Sequence, residues 1–249
     1  MKRFRIALAA GLLFAFFALI PFYVKSKREF GSSISCADSF RRPIIAFVID
    51  ASDKYDSVDA NRVSRETKSR LLSLREPTRF VIAGPNELAP YEPLLAKEGC
   101  ILPELPPSNS YLMTKSDRQA YIRVRDELID STVLEVDKLL QAGPLRTSPL
   151  LETTIALSKR HDIRNSSTKT VVFYSDMEQN STALTVYGSG SQISMKTPVE
   201  LESISLSDTS IEVKRIVRRT KTGLHDQPRL QAFWNEWFAS AGATVEWSK

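Results

Sequence analysis

Two apolar runs that each stop at an aspartate restrict this chain more than any other feature. Pro43-Ile44-Ile45-Ala46-Phe47-Val48-Ile49 ends at Asp50, and Thr170-Val171-Val172-Phe173-Tyr174 ends in Ser175-Asp176. Neither alternates apolar with polar residues, so each reads as a strand buried on both faces. Such strands need helices above and below them. The intervening text supplies helices: Val63, Thr67, Leu71 and Leu74 form one stripe behind a cap at Asp59, and Arg79–Ala83 is a second short strand ending in Gly84-Pro85. Ser116 with Gln119 forms a capping box for a longer helix through Tyr121, Val124, Leu128, Val133, Val136 and Leu140, stopped by Gly143. Ser148-Pro149 opens another helix, and Ile211–Val217 reads as a strand. Leu230, Phe233, Trp234, Trp237 and Phe238 share one helix face, and Thr244–Trp247 follows the Gly242 stop as a final strand. Alternation of this kind predicts an α/β fold: a three-layer, mostly parallel open sheet with helices on both faces. Residues 85–115, rich in proline, read as a long loop.

A second constraint precedes this domain. Ile6 to Val24 is 19 uncharged, mostly apolar residues, close to the ~20 that cross the hydrocarbon core as a helix. The net charge of +5 belongs to its flanks, because Lys2, Arg3, Arg5, Lys25, Lys27 and Arg28 are unopposed within residues 1–28. Beyond them the chain has 28 basic and 29 acidic residues, which leaves no global pull on nucleic acid. The reading is a cytoplasmic tail (1–5), a transmembrane helix (6–24), a linker (25–41) and a folded domain (42–249). Pro21-Phe22-Tyr23 and a basic run replace the small residues of a cleavage site, which favours an uncleaved signal-anchor in a single-pass membrane protein. The domain is expected outside the cytoplasm, in the periplasm if the membrane is a bacterial inner membrane. Cys36 and Cys100 are the two cysteines and either pair there or remain buried thiols.

Asp50 and Asp176 fall at strand ends, where open α/β sheets bind ligands. The text around them, Asp50-Ala51-Ser52-Asp53-Lys54, Thr147-Ser148-Pro149-Leu150-Leu151 and Ser175-Asp176-Met177, resembles the metal-ion-dependent adhesion site of von Willebrand factor A domains. In element order the resemblance covers residues 42–249, and the tail from Leu230 to Ala243 is similar to that of divergent bacterial proteins with this domain. The resemblance implies a Mg²⁺ or other divalent cation held by Asp50, Ser52, Asp176 and a hydroxyl from Thr147 or Ser148, with a partner carboxylate completing the shell. Lys54 departs from the pattern, since an ammonium has no lone pair to give a hard cation. It either points inward and replaces the metal, or points outward and leaves the cation to water or Asp53. Asp53 and Lys54 are therefore expected to meet the partner, making the site a degenerate one.

The resulting expectation is a membrane-anchored protein-binding module of an envelope complex, touching its partner through the carboxyl-end loops. The alternative is a metal-independent scaffold that uses the 85–115 loop or the basic 214–221 segment. Lys214, Arg215, Arg218, Arg219 and Lys221 in that segment read more simply as a charged strand edge. An enzyme is not expected: His161 lies in a polar string away from any nucleophile motif, and Gly188-Ser189-Gly190-Ser191 lacks the lysine of a phosphate loop. Neither nucleic acid nor a small-molecule substrate is expected as a ligand. Asp-x-Ser and Ser-Pro also occur as ordinary turns and helix caps, and the aromatic stripe is most simply core.

Overall fold

The computed structural model describes residues 41–52, 54–103, 114–181, 204–216 and 227–248. The strands are β1 (Ile44–Ile49), β2 (Thr78–Gly84), β3 (Leu94–Ile101), β4 (Lys169–Ser175), β5 (Thr209–Arg215) and β6 (Thr244–Ser248). The helices are α1 (Ser57–Leu72), α2 (Lys115–Gln141), α3 (Leu150–Lys159), α4 (His161–Arg164) and α5 (Gln227–Ser240). The six strands form one sheet in the order β3-β2-β1-β4-β5-β6. All pairings are parallel except that of β2 with β3. This is an α/β fold with a mixed, mostly parallel sheet.

Strict alternation within each buried strand divides the core in two. Ile44, Ala46 and Val48 point to one side with Val171, Phe173, Ile211 and Val213, under Leu150 and Ile155 of α3 and Trp234 and Phe238 of α5. Ile45, Phe47 and Ile49 point to the other with Phe80, Ile82, Val172 and Tyr174, under Val63 and Leu71 of α1 and Ile129, Val136 and Leu140 of α2. A continuous apolar run is what such a strand requires, because neither face meets water. The aromatic stripe of α5 is core, as its spacing implies: Trp234 stacks on Phe238 at 5.4 Å between centroids and meets Trp237 edge-on at 5.6 Å.

Several local expectations are corrected. Residues 94–101, read as loop, form β3, which lies antiparallel on β2 with a register shift at Ile82/Ala83. The caps also shift. α1 is capped by Asp56, whose carboxylate accepts from the Asp59 amide, and the capping box of α2 is Thr114 with Asp117. Ser148 does not cap α3, whose N-cap is Pro149 without a side-chain hydrogen bond. The basic strand is not a sheet edge, because β5 lies between β4 and β6. Lys214 and Arg215 are half-buried there, and residues 217–221 lie outside the described residues. So does the apolar run 6–24. Among the described residues no helix is long and apolar enough to cross a membrane. Cys100 is disulfide-bonded, and Cys36, the chain's other cysteine, lies outside the described residues.

Arg160 joins the far strand to the helical layer, donating to Asp162 at 3.0 and 2.8 Å and to Glu98 of β3 at 2.8 Å. Burial alone would raise the Asp162 carboxyl, but hydrogen bonds and charge from Arg160, the Ile163 amide and the charge of Arg79 hold it below the ordinary carboxylate range. A lowered pKa means that its stabilisation is present above the ordinary value of about 3.9 and is lost as pH falls through the folded value. Asp162→Asn should therefore lower the urea midpoint at pH 7, and the difference from wild type should shrink as pH falls from the ordinary carboxylate range through the lowered folded value. A second expectation concerns Gly99 of β3, where a Cβ would sit 2.8 Å from the buried Phe80 ring. Gly99→Ala should cost about 1–3 kcal/mol by overpacking, measured by chemical denaturation.

Candidate functional site

The strand order reverses direction between β1 and β4. β1 is followed through α1 by β2 on one side, whereas β4 is followed by β5 on the other. The carboxyl ends of β1 and β4 flank this switch point, where an open α/β sheet leaves a crevice. Asp50 is the residue after β1 and Asp176 the residue after β4. The ladder holds the two ends in register: Ile49 lies opposite Tyr174, and the Asp50 amide donates to the Tyr174 carbonyl at 3.1 Å.

Asp50 is fully buried, and its carboxylate accepts from neutral donors on three sides. Oδ2 accepts from Ser175 Oγ at 2.6 Å, and Oδ1 accepts from the Ser52 amide at 3.1 Å and from Ser148 Oγ at 3.2 Å. Hydrogen bonds of this sort offset the several kcal/mol that a buried carboxylate otherwise costs. Ser148 answers the choice between a cap and a site: its hydroxyl reaches 98 residues back in the sequence to Asp50 instead of capping the helix beside it. Thr147 is half-buried and adjacent, so Ser148 supplies the hydroxyl at Asp50. Asp176 is buried, and its Oδ1 accepts from the Glu178 amide at 2.9 Å. Lys54 is exposed, while the next side chain, Tyr55, is buried with its hydroxyl donating to the Tyr174 carbonyl at 2.9 Å. Seating Tyr55 inward leaves Lys54 facing solvent. Asp53 lies outside the described residues.

The site's walls contain residues that sequence reasoning did not assign. Ser175, quoted only as a neighbour of Asp176, makes the shortest bond to Asp50 and also accepts from the Met177 amide at 2.8 Å. Met177 has φ 65°, a left-handed conformation that is rare outside glycine. Trp234 of α5 pins it there, its indole N–H donating to the Met177 carbonyl at 2.8 Å. The following turn is tied to the Ser148 loop by mutual backbone hydrogen bonds of Ser148 and Asn180, at 2.8 and 3.0 Å. Buried Gln179 fastens the same turn to α3, accepting from the Leu151 amide and donating to Glu152 and Ser181, all at 2.9 Å. Apart from a strand-end Ser-Asp pair, nothing in the sequence marks these residues.

The structure brings the hydroxyls of Ser148 and Ser175 to the Asp50 carboxylate, with Ser52 meeting it through its amide and Asp176 standing at the neighbouring strand end. Such a set suits a hard divalent cation and no soft one. Among the described residues no three His, Cys, Asp or Glu side chains cluster, so any cation here depends on the serine oxygens. Tyr174, on the α1 face of the sheet, is perturbed. Burial pushes its hydroxyl well above its ordinary range, with Glu66 and Glu212 adding to the effect and the charge of Arg70 opposing it. It is protonated throughout the physiological range. No protein-family model and no curated protein matches this chain.

Ser175→Ala removes a charge-assisted bond from a buried carboxylate and should destabilise the domain by about 1.5–3 kcal/mol in urea unfolding. Trp234→Phe keeps an aromatic ring but leaves the Met177 carbonyl unpaired and opens a cavity beside Trp237 and Phe238, and should cost at least about 1–3 kcal/mol by the same measurement.

Proposed function

We propose that this chain is a membrane-anchored binding module of von Willebrand A-like type, which holds another protein through the carboxyl-end loops of its sheet. The observation that carries the proposal is the convergence of Asp50, Ser148 and Ser175-Asp176 at the switch point, in the family's order along the chain. The apolar segment 6–24 supports the anchor, and the −1 balance of the remaining chain supports a protein partner over nucleic acid.

Asp50, Ser52, Ser148 and Asp176 would hold a divalent cation, with Thr147 beside them. When bound, that ion gives the partner a positive centre to which a carboxylate can be attached. The residues themselves do the rest of the work: Ser175 and Ser148 orient the Asp50 carboxylate, and the Met177 turn fixes the start of the loop behind Asp176. The exposure of Lys54 favours the metal over an internal lysine, because a side chain in solvent does not neutralise Asp50 from within. Asp53 and Lys54 border the partner's approach. Among the described residues the site presents acceptor and hydroxyl oxygens at a sheet end, an arrangement suited to holding a partner.

The test is thermal unfolding of the full chain with and without Mg²⁺ or Mn²⁺, beside Asp50→Asn, Asp176→Asn and Lys54→Ser. A saturating cation should raise the wild-type midpoint by an amount that grows with its concentration, and the two Asn variants should lose that response while remaining folded. A midpoint indifferent to both ions in wild type and in Lys54→Ser would reject the cation, and unchanged partner retention in both Asn variants would reject the site.

A further inference from the structure

The near-zero charge of the folded domain conceals an uneven distribution along the strands. The parallel strands all begin at one end of the sheet, and basic side chains collect there. Arg42 lies two residues before β1, and the ladder sets Arg79 of β2 and Lys169 of β4 on either side of Ile44, where β1 begins. Adjacent strands are about 4.8 Å apart, so the three backbones stand within roughly 10 Å. The α1–β2 turn returns to the same end with Arg75, and α3 descends from the aspartate rim to finish there at Lys159, followed by Arg164 of α4. Arg41, Arg75, Lys159 and Arg164 are exposed, and none makes an ion pair among the described residues.

These seven cations meet two anions, Glu76 and Asp208. The Arg160 group, with Glu98 and Asp162, removes one further unit of charge. The amino end is thus near +4, in a chain whose residues beyond 28 sum to −1. The carboxyl ends of α1, α3 and α5 also point this way, but at roughly half a negative charge each they offset less than half of the excess. The opposite end has no such excess: Asp56, Glu87, Glu92 and Glu178 there accompany Lys54, Arg62 and Arg146. Where the preceding chain leads decides what meets the basic end. Twenty residues separate Val24 from Ile44, a span of at most about 70 Å when fully extended. The start of β1 is therefore tethered beside whatever holds the apolar run 6–24.

We infer that the amino end of the sheet lies against the anionic lipid headgroups of the bilayer that holds residues 6–24, with Arg41, Arg75, Lys159 and Arg164 as its contacts. The inference rests on the proposed anchor and not on the aspartate site. Each basic side chain near an anionic surface strengthens the contact roughly fivefold, within a screening length of about 8–10 Å. One such contact is weak in solution, but the tether fixes the local concentration of lipid and turns it into a standing orientation. The rim of Asp50, Ser148 and Asp176 then points away from the bilayer, open to a partner.

The test places the full chain in nanodiscs of phosphatidylcholine, alone or mixed with phosphatidylglycerol, and reads acetylation of single lysines by mass spectrometry. Lys159 should react about threefold or more slowly where phosphatidylglycerol is present, while Lys54 at the rim is unchanged. High salt should remove the difference, since the screening length falls to about 3 Å at 1 M. Arg41→Glu with Arg75→Glu and Arg164→Glu should remove it at an unchanged thermal midpoint. The three Gln variants should remove part of it, and they stand in if charge reversal lowers the midpoint. Indifference of Lys159 to phosphatidylglycerol, or slowing that survives all three substitutions, would overturn the inference. Equal slowing by inorganic phosphate added to the phosphatidylcholine discs would overturn it as well, because the occupant is then a free anion. Carbonate extraction separates the two ideas: a retained chain with an indifferent Lys159 keeps the anchor and rejects the lipid face, whereas a released chain rejects both.

Discussion

The carboxylate of Asp50 is the point on which the loops of the sheet's upper end depend. A fully buried charge is tolerated only where the surroundings supply hydrogen bonds, and here they come from Ser52, Ser148 and Ser175, three separate parts of the chain. Each donor brings its own segment with it. Ser175 fixes the end of β4 and, through the Met177 amide, the turn beyond it. Ser148 fixes the entry to α3 and, through its paired bonds with Asn180, the far end of that turn. Removing the acceptor oxygens would therefore release several loops at once, which is why an Asn replacement, which keeps the side chain's shape and one acceptor oxygen, separates binding from folding better than Ala does.

The same network explains a strained residue. Met177 occupies left-handed backbone space that a side chain ordinarily avoids at a cost of roughly 1–3 kcal/mol. It is held from three directions: by Ser175 at its amide, by the Trp234 indole at its carbonyl, and by complete burial of its side chain. The aromatic helix α5 thus has two physical roles, filling the core on one face of the sheet and clamping the loop behind Asp176.

How much of this was legible in the sequence follows from which residues carry their signal locally. β1 and β4 were readable because burial on both faces demands continuous apolar text, and α1, α2 and α5 because their stripes repeat at helical spacing. Asp50 and Asp176 were readable because each interrupts such a run. β3 was not, because an edge strand facing solvent carries Lys97, Glu98 and Gly99 and lies between prolines, so its text resembles a loop. The helix caps were misread by two or three residues because Asp56 and Asp59, or Thr114 and Ser116, are chemically equivalent candidates and only backbone geometry chooses between them. Ser148 shows the deeper limit. Its neighbour Pro149 makes it look like a cap, and only the tertiary approach of β1 redirects its hydroxyl.

The two ends of the sheet stand in different mechanical relations to the chain. Polypeptide enters β1 at Ile44, at the amino end, and the aspartate rim lies at the other, about 20 Å away for a six-residue strand. Tension between the segment before residue 44 and anything held at the rim would run along β1. That strand is bonded in parallel register to β2 on one flank and β4 on the other. Pulled along its length, it is loaded in shear, so both ladders resist together and cannot be opened one bond at a time. The central position of β1 makes the domain a stiff link between its two ends.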